Sequence, residues 1–255
     1  MPFEPVQAEK LSTSVVRQIE GLILRGILRP GERLPSEREL SERLGVSRPS
    51  LRDAVAELQE QGLLATRAGS GIYVAEVLGS AFSPALTRLF ATHDDAVFDY
   101  LSFRKDMEGL AAERAARMAS DSDLKVIQVI FDKMVAAQAK RNAEQDAALD
   151  AQFHTAIIEA SHNIVMLHMM RSMFDLLREG VFYNRQVMFK QHTTREALLD
   201  QHRAINDALQ ARDPAAARAA VEVHLGYVWQ ALADKQKSEK NEGVARKRLQ
   251  QELQK

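Results

Sequence analysis

Asp150 and His154 stand four residues apart in the segment LDAQFHTAIIEASHN. On a helix that spacing puts both side chains on one face, one turn apart. His202 lies in LLDQHRAINDAL and His224 in AVEVHLGYVW, each within its own helix-patterned stretch. One carboxylate and three imidazoles, brought together from three helices, would form a donor set that suits Zn²⁺ and also accepts Ni²⁺, Mn²⁺ or Fe²⁺. Spacing alone leaves a second reading open, because a histidine on a mixed helix face is commonly structural. The chain has no cysteine, so disulfides are excluded and any metal must be held by nitrogen and oxygen. His93, His162, His168 and His192 fall outside this pattern; His162, in SHN, reads as a helix-break residue.

A second chemistry resides in LPSERELSERLGVSRPSLRDAVAELQEQGLLATRAGSGIYV, residues 34–74. Ser36 and Glu39 have capping-box spacing, which predicts a helix from Glu37 to Leu44 ended by Gly45. Ser47 then caps a second helix whose first turn tolerates Pro49 and whose Leu51, Val55 and Leu58 share a buried face. Arg48, Ser50 and Arg52 occupy its first turns, where a recognition helix meets base edges in the major groove. Arginine pairs bidentately with guanine, and serine bonds bases or phosphate. Two short strands, Leu63–Thr66 and Ile72–Val74, flank Ala68-Gly69-Ser70-Gly71, which is turn chemistry. Those glycines let backbone approach a sugar-phosphate edge or the minor groove, and Arg67 adds charge beside them. The pattern is that of a winged helix-turn-helix. Acidic and basic residues about balance through Val74, so the fold must sort positive charge to one face.

The elements that position these groups divide the chain. With 255 residues, 45% of them hydrophobic, it can bury a sizeable core, and its net charge of −1 names no partner. Residues 1–76 read as the winged domain, 77–90 as a linker, 91–236 as an all-helical domain and 237–255 as a charged flexible tail. An earlier helix is expected over Arg17–Leu28, packing beneath the helix pair. Beyond the linker, helix formers dominate and no alternating strand pattern appears, which predicts six or seven helices in a bundle. Breaks are expected near Thr92–Asp94, Ser120–Asp123, Arg141–Glu144, Ser161–Asn163, His192–Thr194 and Arg212–Pro214. The fold class is therefore mainly α. MPFEPVQAEKLS has no apolar signal core and no run approaches the ~20 apolar residues of a membrane span, so a cytoplasmic protein is expected.

The run PGERLPSERELSERLGVSRPSLRDAVAELQEQGLL followed by RAGSGIYV resembles the GntR family of bacterial transcription regulators. The resemblance implies DNA contacts from Arg38, Arg48 and Arg52 and a wing glycine, Gly69, near the minor groove. The helical region resembles the ligand-binding domain of the FadR subfamily (FCD-type). Members of that subfamily often hold a metal with an Asp-x-x-x-His pair and two later histidines, matched here by Asp150, His154, His202 and His224. LFATHDD, FRKDMEGLAAERAA and EASHNIVMLHMMRSM are similar to pyruvate-responsive repressors of the subfamily, which implies pyruvate as effector. One departure tempers this: the quartet is complete here, as it is in regulators of lactate or glycolate.

An octahedral ion held by four protein donors leaves two positions, which a 2-oxo or 2-hydroxy carboxylate fills by chelation. The acid's remaining oxygen would want a cation in a closed pocket. Arg104 is the leading candidate, the alternative being an i,i+4 salt bridge to Glu108; Arg178, Tyr183 and Asn184 are further pocket candidates. The expected partners are a pseudo-palindromic operator, a small carboxylic acid and a second copy of the chain, with no membrane. An acyl-CoA effector is the alternative within this class. A metal-dependent hydrolase or lyase is the rival outside it, but it leaves the DNA-binding half unexplained and lacks an evident general acid or base.

Overall fold

Apolar residues at a helical period start the chain's first element. Val15, Val16, Ile19 and Ile23 are the buried face of α1 (Leu11–Leu24). The computed structural model describes residues 10–67, 70–75, 83–93, 95–140, 142–178 and 192–253. Two units emerge from it, Met1–Ser80 and Ala81–Lys255.

In the first unit, α1 packs on α3 (Arg48–Glu60), which follows α2 (Glu37–Leu44). The helix α1 begins before the expected Arg17 and stops before Leu28; Ile27 is exposed, so the apolar run outlasts the helix. Ser36 Oγ accepts from Glu39 N, while the Glu39 carboxylate turns to Arg43, so only half of the expected capping box forms. Gly45, at φ 65°, takes the left-handed conformation that ends α2. Ser47 Oγ caps α3 by accepting from Ser50 N. The strands β1 (Leu64–Arg67) and β2 (Gly71–Val74) pair antiparallel with Leu64 opposite Val74 and Arg67 opposite Gly71. Leu34, Leu51, Ala54, Leu58, Leu64 and Val74 close the core beneath them. This is a winged helix-turn-helix.

The second unit is helical among its described residues: α4 (Pro84–Thr92), α5 (Asp95–Met118), α6 (Asp121–Gln138), α7 (Ala143–Ala160), α8 (Ile164–Arg178), α9 (His192–Gln210) and α10 (Pro214–Leu253). Ser83 accepts from Leu86 N and Pro84 opens the first of these, a helix that begins within the expected linker, residues 77–90. The pair α5 and α10 packs along much of its length, and small residues (Ala112, Ala115 and Ala116 against Ala217 and Val221) contribute to the shared core. Two turns latch onto the start of α6. His162, at φ 51°, closes α7 and lies 3.0 Å from Asp123; Arg212, at φ 54°, donates to the Ala119 carbonyl at 2.7 Å and to Asp121 at 2.8 Å.

Residues 237–253, expected to be a flexible tail, continue α10 as exposed helix. Lys, Gln, Glu, Ala and Arg are good helix formers, and Glu242 pairs with Arg246 one turn on.

Candidate metal centre and nucleic-acid interface

Asn142 caps α7 by accepting from Glu144 N and Gln145 N, which sets the phase of the helix behind it. That phase turns Asp146, Leu149, Asp150, Phe153, His154 and Ile157 inward. Phe153 is wholly buried, with its ring centroid 6.3 Å from Phe131 and 5.3 Å from His202. Opposite α7, α9 delivers His202 and α10 delivers His224, both buried.

One donor atom from each of Asp150, His154, His202 and His224 lies within 4.8 Å of the others. His202 Nε2 stands 3.1 Å from Asp150 Oδ1 and 3.4 Å from His154 Nε2; His154 Nε2 is 3.7 Å from that same oxygen. Donors each about 2.1 Å from a single ion stand about 3–4 Å apart; the Asp150, His154 and His202 atoms have that spacing, and His224 offers a fourth donor within 4.8 Å of them, so the four could hold a divalent metal. The helices thus bring the four sequence-nominated residues together.

Partners behind the donors orient them. His224 Nδ1 is 3.0 Å from Gln201 Oε1, which leaves Nε2 as its second ring nitrogen. Glu108 Oε2 lies 2.6 Å from His154 Nδ1, so Nε2 is the nitrogen on the Asp150 side. Burial depresses the His202 pKa, and it depresses His224 further, aided by the charges of His202 and His154. Lowered values favour the neutral form of both rings, the form that can donate a lone pair. Burial also acts to lower His154, but the Glu108 charge and a bond to Asp150 outweigh it and raise that pKa. Glu108 itself is pushed up by burial and pulled down more strongly by Arg104 and His154, to about 2.

Arg104 is 2% exposed and donates from Nε to Glu108 Oε1 at 2.6 Å. The salt-bridge alternative is what the structure shows, with the guanidinium also 5.3 Å from the Phe174 ring centroid. Its charge still reaches the quartet, where it helps depress His224. Arg178 ends α8, but its side chain lies outside the described residues, as do Tyr183 and Asn184. Sequence reasoning did not assign Glu108 to the site. Its signal was there: it shares with Arg104 and Ala111 the buried stripe of α5. Gln201 carried none, since its partner lies on another helix. A buried ion pair was also missed, with Arg195 Nε donating to Asp146 Oδ2 at 2.8 Å. Burial raises the Asp146 pKa in spite of Arg195. This pair lines a cavity with Met134, Gln138, Leu149, Leu199 and His202.

In the first unit, Arg48 and Arg52 extend from α3 toward Glu37 of α2, at 4.0 and 2.9 Å. All three are solvent-accessible, and exposed pairs of this kind contribute at most about 1 kcal/mol, so a phosphate or base can replace Glu37 at small cost. Arg38 is exposed in the first turn of α2. Ser50 is half-buried and its hydroxyl shares a hydrogen bond with that of Ser47, an N-capping engagement the sequence reading did not include. Arg67 lies over the Tyr73 ring, 4.5 Å from its centroid, which steadies it at the hairpin. Gly69 lies outside the described residues. Gly71, at φ 115°, has Arg33 Nε only 3.0 Å from where a Cβ would sit, so Arg33 packs against the wing.

No helix among the described residues is long and apolar enough to cross a membrane. Residues 11–74 match the family "Bacterial regulatory proteins, gntR family" and residues 99–227 match the FCD domain. A protein of Escherichia coli K12 assigned by name to regulation of the L-lactate dehydrogenase operon is 37% identical over 88% of this chain and 86% of its own length. The "Glc operon transcriptional activator" of the same organism is 34% identical over 86% of this chain and 88% of its own. Among solved structures, Streptococcus agalactiae GntR aligns with a TM-score of 0.51 at 25% identity, covering 86% of this chain and 99% of that one. The chain therefore belongs to the gntR family of bacterial regulatory proteins, as a metabolite-responsive transcription regulator with an FCD domain rather than an enzyme.

Proposed function

We propose that the chain works as a cytoplasmic homodimer. It binds a pseudo-palindromic operator through two winged domains and releases it when the helical domain takes up a small 2-oxo or 2-hydroxy monocarboxylate. The observation that carries this reading is the convergence of Asp150, His154, His202 and His224, buried and at metal-ligand separations. These residues would hold a divalent ion, zinc by preference and otherwise nickel, manganese or iron. When bound, the ion supplies a Lewis-acidic anchor for adjacent carboxylate and hydroxyl or keto oxygens.

The chain's own residues do the rest. Glu108 holds His154 in the tautomer that offers Nε2, and Gln201 does the same for His224. Arg104 supplies positive charge behind the quartet, and Arg178, Tyr183 and Asn184 are the further residues we assign to the acid pocket. On DNA, Arg48 and Arg52 leave Glu37 for the major groove, Arg38 and Ser50 lie at the starts of the two helices, and Arg67 and Gly69 serve the wing. Sequence segments point to pyruvate, whereas the name of the E. coli relative points to L-lactate. Both carry two adjacent oxygens on a three-carbon skeleton, and we place L-lactate first.

The acid acts only through unequal affinity for the DNA-binding and released states. Fluorescence anisotropy on an operator selected from genomic fragments tests this. Saturating L-lactate or pyruvate should weaken operator binding by at least about tenfold, or 1.4 kcal/mol, and chelation should abolish the response. Operator affinity indifferent to both acids would overturn the reading.

A further inference from the structure

The cavity among α6, α7 and α9 reaches His202, a member of the quartet. Its walls are apolar at Met134, Leu149 and Leu199. Asp146 and Arg195 face one another across its polar part, each about 8% exposed. Arg195 donates to Asp146 Oδ2 from Nε at 2.8 Å and approaches it from Nη2 at 2.7 Å, and Nη2 also donates to the Gln138 carbonyl at 3.1 Å.

We propose that this cavity is the subsite for the substituent of the sensed acid, and that Asp146 is its specificity-determining residue. By cancelling the charge of Arg195, Asp146 makes the subsite accept a short uncharged substituent and reject a second carboxylate. The inference rests on the metal-anchored acid proposed above and deepens it.

Three observations support it. The cavity borders a donor, so a ligand held at the quartet has its substituent within reach of these walls. An unpaired Arg195 would attract anions, since a buried guanidinium demands a charged partner. The structure has already met that demand, with two of the three guanidinium nitrogens on Asp146 and the Gln138 carbonyl. The charges around the quartet agree with this. A divalent ion with Asp150, Glu108 and Arg104, and with neutral histidines, leaves one positive charge. A single carboxylate neutralises it; a second one in the cavity would stand beside Asp146 without a counter-charge.

The test is calorimetric titration of the metal-loaded full chain with L-lactate and L-malate, which differ by one carboxylate on the substituent. Wild type should bind L-lactate at least about tenfold more tightly than L-malate. Asp146→Asn keeps the shape and one acceptor for Arg195 while removing the charge. It should move the ratio toward L-malate by about tenfold or more. If that variant does not fold, Asp146→Ser is read the same way. A wild type that prefers L-malate, or a ratio unmoved by the substitution, overturns the subsite while leaving the anchored acid intact. Wild type that binds neither acid overturns both.

Discussion

Glu108 Oε2 lies 2.6 Å from His154 Nδ1, and both residues are almost completely buried. A carboxylate behind a ligating imidazole fixes the ring's tautomer and raises its basicity, so removing it weakens the metal by about 10–100-fold. Glu108→Gln should therefore lower metal affinity by that factor, read by competition against a chelating dye. Unchanged affinity would reduce Glu108 to the counter-ion of Arg104.

His154→Ala removes a donor while leaving the winged unit untouched. The variant should still bind operator, but L-lactate should no longer raise its melting temperature. For wild type at about 100 times the dissociation constant, that stabilisation is about 2.7 kcal/mol. Thermal unfolding with and without the acid reads the difference, and a shift equal to that of wild type would remove His154 from the sensor.

Arg48 and Arg52 share Glu37 as an ion-pair partner. Arg48→Ala should cost about 1–3 kcal/mol on operator and relax base preference at its contacted position. Binding to operator and to random DNA, compared at one salt concentration, checks this. Equal losses on both would make Arg48 a phosphate contact.

Stability in acid should depend on Asp123. Burial raises its carboxyl pKa, but bonds from the Ser120 hydroxyl and backbone and the contact with His162 outweigh it, so the folded value is lowered. A depressed carboxylate stabilises the fold above its unfolded pKa of about 3.9, and that contribution is lost as pH falls through the folded value. Ser120→Ala should cost about 1 kcal/mol at neutral pH through the lost cap and flatten the decline in melting temperature below that unfolded pKa. A pH profile parallel to that of wild type would contradict this assignment.

Local signals were legible in the sequence because they act within a few residues. Ser36, Ser47 and Gly45 punctuate helices through their own backbone geometry, and Asp150 and His154 share a face by helical period alone. Convergence with His202 and His224 needed tertiary packing, and sequence alone had no means to supply it beyond family resemblance. The Asp146–Arg195 pair, 49 positions apart, left no periodic trace. Residues 237–253 are polar and helical. Their polarity suggested flexibility, yet good helix formers and i,i+4 pairs sustain α10 where no core does. Glu108 was visible as a partner of Arg104; its second partner, His154, belongs to another helix.

The central claim is that the buried Asp/His₃ set holds the ion on which a small acid binds. Titration of L-lactate into metal-loaded and chelated protein tests it most directly. We expect one acid per chain with the metal in place and no measurable heat without it. Equal binding in both preparations would contradict the claim.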